Sequence, residues 1–278
     1  MLDQTTDIEE GQEMSFLDHL EELRWHLVRS AAAIIIFSIV AFLAKDYVWG
    51  TLILGPTKGD FWTYRMLCQF GELIGSDKIC MGDLPIDMQN REMTGQFMMH
   101  ITSSLVIGII LAFPYTFWEI WRFVSPGLHK KEKGASRGAV IAVSFLFMSG
   151  VFFGYFIVTP VSFQFLATYT LDVSIQNNID IISLVKTLSM LVLACAFMFQ
   201  LPVVTYFLSK AGLVTPDLMR QYRKHGIVVI LILSAVITPP DVYSQILISL
   251  PLVFLYEISI NISRRVERKL EKERNEEN

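Results

Sequence analysis

Long uncharged stretches dominate the hydropathy pattern of the chain. Roughly 20 apolar residues are needed for a helix to cross a hydrocarbon core of about 30 Å. Three runs without Asp, Glu, Lys or Arg reach that length, and three are shorter. The pattern predicts an all-α, polytopic membrane protein with six transmembrane helices, the last two short. The runs are Ser30–Ala44 (15 residues), Met93–Trp118 (26), Gly138–Leu171 (34), Thr187–Ser209 (23), Gly226–Pro240 (15) and Val242–Tyr256 (15).

Composition agrees with this prediction. Hydrophobic residues make up 53% of the chain and charged residues 18%, whereas a soluble domain carries about a quarter charged residues. The mean hydropathy is +0.46. The net charge of −4 gives no indication of nucleic-acid binding.

The distribution of Lys and Arg predicts the orientation of the spans. Six spans place both termini on one side, and cytoplasmic loops carry an excess of Lys and Arg. If the termini are cytoplasmic, that side holds 17 of the 23 Lys and Arg residues, so we expect both termini inside. The other side holds Lys45, Lys58, Arg65, Lys78, Arg91 and Lys186.

We expect a single integral membrane domain, 1–278, that includes four polar segments. These are an acidic N-terminal tail (1–14), a cytoplasmic amphipathic helix (15–29), a long external loop (46–92) and a charged cytoplasmic tail (264–278). The external loop contains Cys68 and Cys80. An oxidising compartment would allow them to form a disulfide, and two free thiols are the alternative.

The stretch "SFLDHLEELRWHL" joins an acidic amphipathic helix directly to the first span. Leu20, Leu23 and Leu27 share one face, and Glu22 lies on the other. Acidic groups beside an anionic inner leaflet need a partner or shielding. Two interpretations remain open at this point: an interfacial helix with local ion pairs, or a docking surface for a cationic peptide, because carboxylates pair well with arginine.

Four motifs resemble, in order, those of the TatC family, the multispanning receptor of the twin-arginine protein translocase. They are "HLEELRWHL", "WEIWRFVSPGLHKKEK", the proline of "FQLPV" and "TPPDVYSQ". The resemblance covers nearly the whole chain except the first external loop, which is longer than the family's usual one. It implies a non-enzymatic core subunit in the bacterial cytoplasmic (inner) membrane that uses the proton gradient for export.

The resemblance also implies site residues and partners. Twin-arginine signal peptides of folded precursor proteins would bind Glu22 and Glu132, with Arg24 as an internal organiser and Phe123 lining an apolar slot. Arg24 could instead be an interface anchor, and Phe123 an aromatic-belt residue. Single-span TatA/TatB-type subunits would dock near Asp241 and Gln245, in a hetero-oligomer of several copies embedded in membrane lipid.

Gln200 departs from the family, which commonly has a glutamate at this position. Glutamine does not titrate, so a proton-linked role at this position is in doubt. Its amide can bond a partner helix or a signal peptide, or it can satisfy the Met198 carbonyl that loses its usual donor at Pro202. Asp241 and Gln245 have helix capping as their alternative role.

Other function classes find little support in the sequence. There is no ligand spacing among the five histidines, no phosphate-binding glycine-rich loop and no catalytic pair, so we expect neither metal, cofactor nor enzymatic activity. The alternative function is a small-molecule or ion permease using Gln200, His100 and Asp241.

Overall fold

The computed structural model describes residues 16–75, 87–124, 136–172, 174, 177–238 and 242–277. Its longer helices are α1 (Phe16–Leu43), α3 (Trp62–Ile74), α4 (Gly95–Val124), α5 (Ser136–Phe153), α6 (Thr159–Thr168), α7 (Ile181–Met198), α8 (Leu201–Lys210), α10 (Arg223–Ile237) and α11 (Val242–Glu277). Two short helices are α2 (Lys45–Tyr47) and α9 (Pro216–Gln221). π-Helical segments lie at Val48–Ile53 and Gly154–Val158, and a 3₁₀ turn lies at Gly55–Thr57.

Five helical stretches of the described chain are long and apolar enough to cross a membrane. They are Glu21–Leu43, Gly95–Phe123, Gly138–Thr168, Ile181–Lys210 and Val242–Lys272. The predicted fifth span corresponds to α10, whose 15 residues extend about 22 Å. An all-α, multi-pass membrane architecture is therefore confirmed, while the count of six spans rests on α10 and stays a prediction.

Three of the four predicted polar segments contain regular secondary structure. Segment 15–29 is not a separate helix, since α1 continues without a break into the first span. Segment 46–92 contains α3, and its strand β1 (Asp87–Gln89) pairs in parallel with β2 (Asn178–Asp180) of the connection between α6 and α7. The charged segment 264–278 continues α11 as far as Glu277, so the last helix is much longer than its uncharged run.

The centre of the molecule is α7. Half of its most apolar stretch is buried, a larger share than in any of the other four candidate spans. A buried cluster near the start of α7 joins Leu184, Val185 and Leu188 to Tyr64 and Phe163. A second cluster joins Leu191 and Cys195 of α7 to α10 and α11.

Small side chains allow the spans to approach one another closely. A Cβ on Gly150 of α5 would lie 2.7 Å from the Ala196 Cα of α7, and a Cβ on Gly108 of α4 would lie 2.8 Å from the Ser38 backbone nitrogen of α1. Without a hydrophobic driving force between helices in lipid, such close packing is a main source of association.

Buried serines hold α11 near its start and again beyond its midpoint. The Ser162 hydroxyl of α6 lies 2.7 Å from the Ser244 hydroxyl, and the Ser209 hydroxyl of α8 lies 2.8 Å from that of Ser263. Each pair satisfies polar atoms that would otherwise be buried without a partner. The last helix is therefore fixed against the third span on one side of the membrane and against the fourth on the other.

Gly108→Ala is expected to lower the free energy of unfolding by about 1–3 kcal/mol, because the new methyl group overpacks two helix backbones. Thermal unfolding of the purified protein in detergent measures this loss. Gly138→Ala is the matched control, because a Cβ at Gly138 has nothing within 4 Å. Equal melting temperatures for the two variants would contradict a tight α1–α4 contact.

Candidate functional site

A buried acid–histidine pair joins α1 to the last turns of α4. Glu119 is 1% exposed and His26 is 6% exposed. The Nδ1–H of His26 donates to Oε2 of Glu119 at 2.5 Å. Two helices that are distant in sequence are thus connected by one short, desolvated hydrogen bond, which is a strong kind of polar contact when its groups are charged.

Three further polar groups surround the Glu119 carboxylate. The Tyr115 hydroxyl, one turn earlier on α4, donates a hydrogen bond to it. Arg122 Nη1 lies 3.8 Å from Oε1, and Arg29 Nη1 lies 3.9 Å from Oε2. A lone buried charge would be very costly in this position, and these groups supply the compensation.

Glu22 lies one turn before His26 and is the more accessible acid. Its Oε1 is 3.9 Å from Nε2 of His26, and its side chain is 40% exposed. His26 therefore stands between a buried carboxylate on one ring nitrogen and a half-exposed carboxylate on the other. We refer to Glu22, His26, Arg29, Glu119 and Arg122 as the α1–α4 junction.

Aromatic side chains border the α1–α4 junction. The Phe123 ring centroid lies 6.2 Å from that of His26. The guanidinium of Arg122 lies 5.1 Å from the centroid of the Trp118 ring, a cation–π contact. The α1–α4 junction thus combines charged groups with aromatic rings.

The structure brings together only part of the predicted recognition set. Glu22 and Phe123 both lie beside His26, whereas Glu132 lies outside the described residues. Arg24 is exposed and two residues from Glu22, which places it on the opposite side of α1. Arg24 therefore does not orient Glu22. The side chain next to Glu22 is that of His26.

The orientation of α1 follows from its contact with α4. On the face with Glu22, Glu21 and Trp25 are exposed, whereas His26 and Ser30 at the edge of this face are buried, and Leu27 on the apolar face is exposed. The reason is the hydrogen-bonding demand of Glu119, which draws the edge of α1 that carries His26 onto α4. The apolar face is left for lipid.

Gln200 lies at the break between α7 and α8. Pro202 stands in the first turn of α8, and the Nε2 of Gln200 donates to the Val143 carbonyl of α5 at 3.3 Å. The contact to a neighbouring helix, rather than to Met198, is the one that forms. Its Oε1 is buried and has no hydrogen-bond partner in the part of the chain that the structure describes.

The remaining predicted positions are only partly visible. Gln245 donates from Nε2 to the Leu231 carbonyl at 3.3 Å and so ties α11 to α10, while Asp241 lies outside the described residues. Cys68 takes part in a disulfide and Cys195 is a free, buried thiol. Cys80 also lies outside the described residues, so its pairing with Cys68 stays a prediction.

His26 and Glu119 are the functional candidates that sequence reasoning missed. Both stand inside the quoted motifs, but His26 was considered only as a local ion-pair partner of Glu22, and Glu119 was given no role. Two signals were available: Glu119 immediately ends the second uncharged run, and His26 follows Glu22 by four residues. An acid at the boundary of an apolar span needs a nearby base.

The described residues contain no group of three or more His, Cys, Asp or Glu arranged to hold a metal ion. The site is a polar junction between two helices in which the Glu22 carboxylate is the half-exposed acid.

Comparison with known proteins shows the family. A family model described as "Sec-independent protein translocase protein (TatC)" matches residues 18–251. The chain belongs to the TatC family. It is therefore a component of a Sec-independent protein translocase and a multi-pass membrane protein with a role in transport.

Individual TatC relatives align over most of their length. The chain is 36% identical over 262 residues to the Sec-independent protein translocase protein TatC of Blattabacterium sp. subsp. Periplaneta americana, covering 94% of this chain and 98% of that one. It is 36% identical to the TatC of Helicobacter pylori strain J99 over 251 residues, covering 89% and 88%.

A solved structure shares the fold. The crystal structure of the twin arginine translocase receptor TatC superposes with a TM-score of 0.65 at 30% identity, covering 90% of this chain and 99% of that one. A second crystal structure of that receptor gives a TM-score of 0.68 at 31% identity, covering 88% and 99%.

His26→Gln and Glu119→Gln are each expected to destabilise this TatC-family chain by about 3 kcal/mol, because each leaves a buried partner uncompensated. The double variant should lose less than the sum, with a coupling of about 1–3 kcal/mol in unfolding experiments. Glu257→Gln is the control, since its pair with Arg223 is partly exposed and is worth about 0–1 kcal/mol. Strictly additive losses would show that the two side chains do not interact.

Proposed function

We propose that this chain is the core receptor subunit of a twin-arginine translocase, and that the α1–α4 junction binds the signal peptides of folded precursor proteins. The observation that carries the proposal is the half-exposed Glu22 carboxylate held beside buried His26. The similar fold of a protein described as a twin arginine translocase receptor supports the same assignment.

The charge arrangement explains why Glu22 rather than Glu119 is the recognition group. Glu119 already accepts hydrogen bonds from His26 and Tyr115 and is not accessible. Glu22 has one contact at 3.9 Å and an exposed edge. An arginine can approach that edge in a bidentate geometry, which a lysine cannot reproduce.

A second carboxylate would complete the recognition of two consecutive arginines. The family resemblance assigns that role to Glu132, in the connection between α4 and α5. This connection follows directly from the helix that carries Glu119, so it starts on the same side of the membrane as the α1–α4 junction. Phe123, at the end of that helix, would contact apolar residues of the peptide.

The side of the membrane follows from charge. The α1–α4 junction lies on the same side as the Lys/Arg-rich tail of α11, and the positive-inside rule assigns that side to the cytoplasm. The proposed location is the bacterial cytoplasmic (inner) membrane, with both termini inside. Export would use the proton gradient.

Single-span TatA/TatB-type subunits are the proposed membrane partners, in a hetero-oligomer with several copies. Their docking surface would be the short helix α10 beside the start of α11. Val228, Val229, Ile232 and Val236 form an exposed apolar stripe along α10. A helix too short for the bilayer favours association with neighbouring helices, and Gln245 fixes α10 against α11 next to that stripe.

Glu22→Gln combined with Glu132→Gln is expected to weaken binding of a twin-arginine signal peptide about 10-fold or more, because charge-assisted hydrogen bonds are lost. Photo-crosslinking of a labelled signal peptide to membranes containing the protein measures the change. Glu21→Gln is the matched control. Glu21 is an exposed acid of the same helix, next to Glu22 in sequence but outside the side of α1 that meets α4.

Three results would be informative. Crosslinks lost in the double variant but kept in Glu21→Gln support the proposal, provided that the protein remains inserted. Unchanged crosslinks in the double variant would move recognition away from these carboxylates. An absence of crosslinks in the wild type would argue against the receptor function altogether.

A further inference from the structure

Helix α3, in the segment between the first two spans, packs against the other described residues along one side. Its buried residues include Thr63, Tyr64 and Gly71. The Tyr64 hydroxyl lies 2.9 Å from the Pro56 carbonyl and 3.2 Å from the Pro160 carbonyl. The Thr63 hydroxyl donates to the Phe156 carbonyl.

This attachment fixes the rotation of α3 about its axis. Burial raises the pKa of the Tyr64 hydroxyl well above its ordinary value, so it stays a neutral donor. Cys68, on the same side of the helix, is disulfide-bonded. The other sides of α3 are therefore presented in a defined direction.

An apolar stripe runs along one of these free sides. It consists of Trp62, Met66, Phe70 and Leu73, all exposed, with Phe70 at 58% and Leu73 at 83%. At about 100° per residue the four side chains fall within a sector of about 80°. We refer to these residues as the α3 stripe.

Polar residues occupy a separate free side. Arg65, Gln69 and Glu72 are exposed and fall within about 60° of one another, next to the α3 stripe. The helix thus has three sides, which face the protein, an apolar medium and a polar medium. This division is typical of a helix lying in a membrane interface, with its apolar side in the acyl region and its polar side in water.

The α3 stripe continues into the surface of a membrane span. The Trp62 ring centroid lies 5.9 Å from that of Phe156, and Phe156 lies 6.2 Å from Phe152. Phe152 is 59% exposed and belongs to the candidate span Gly138–Thr168. A row of aromatic rings therefore leads from the exposed face of that span to α3, at the level where tryptophan is enriched in membrane proteins.

We propose that α3 is an interfacial helix whose stripe is inserted into the lipid leaflet opposite the α1–α4 junction. Because α3 follows the end of α1 that is remote from Glu22, it lies at the leaflet opposite the α1–α4 junction. The area of the stripe favours lipid over a protein partner. Four half-exposed side chains offer on the order of 400 Å², whereas a stable protein interface needs about 800 Å² from each side.

Anchoring of α3 has a consequence for the neighbouring span. Through Thr63 and Tyr64, α3 is bonded to the backbone at Phe156 and Pro160, where the third span passes through its π-helical segment. Insertion of the stripe would hold this irregular part of the span at a fixed depth.

Photo-crosslinking tests the insertion in native membrane vesicles containing the full-length protein. A benzophenone amino acid replaces Phe70 of the α3 stripe in one sample and Gln69 of the polar side in the other. The expected result is a phospholipid mass adduct on the Phe70 sample, severalfold more abundant than on the Gln69 sample. Crosslinks from Phe70 to a second copy, to a signal peptide or to another protein would overturn the proposal, as would equal labelling of both positions.

Tryptophan quenching provides an independent test with a conservative change. In proteoliposomes, lipids brominated near the headgroup should quench a larger share of the fluorescence of the wild type than of Trp62→Phe, because the substitution removes an indole that the proposal places in lipid. The difference isolates one of the five tryptophans of the chain. Equal quenching of the two proteins would place Trp62 outside the lipid.

Discussion

The arrangement of the functional side depends on one buried carboxylate. Glu119 cannot remain ionised near the end of an apolar span unless other groups compensate it. Two of those groups, Tyr115 and Arg122, come from its own helix, and two, His26 and Arg29, come from α1. The requirement to satisfy Glu119 thus fixes how the acidic end of α1 lies on α4.

The contact between α1 and α4 also determines the position of Glu22. It lies one helical turn before His26 and on the same side of α1, so the hydrogen bond that satisfies Glu119 also sets where Glu22 meets solvent. If Glu22 binds a signal peptide as proposed, its place beside buried His26 reduces the freedom that it loses on binding. The opposite end of α1 leads into α3, whose apolar stripe supplies a separate contact with the membrane.

Periodicity and charge predicted much of the fold. Five of the six uncharged runs coincide with helices that are long and apolar enough to cross a membrane, because a helix in lipid must carry a continuous apolar stretch, and the motifs indicated the family. The boundaries were less predictable. The charged tail continues α11 as a helix to Glu277, because Glu, Lys and Arg are good helix formers in water, and hydropathy alone does not mark where that helix ends.

The site was predictable only in part. The motifs named Glu22 and Phe123, whose part in recognition stays a proposal, whereas the contacts of Arg24 and His26 depended on which edge of α1 meets α4. That contact joins residues 93 positions apart, and amphipathicity alone does not show that the edge with His26 and Ser30 is the buried one. In a membrane protein the apolar side of α1 can face lipid. The rule for soluble proteins, that the apolar side of a helix packs against the core, therefore does not apply.

We infer that His26 raises the affinity for the signal peptide by positioning Glu22. The affinity of a twin-arginine signal peptide for the inserted protein should be measured in the wild type, in His26→Gln, in Glu22→Gln and in the double variant. We expect that His26→Gln weakens binding when Glu22 is present and adds nothing once Glu22 is replaced. Losses that simply add in the double variant would contradict this inference, because His26 would then act independently of the carboxylate that it positions.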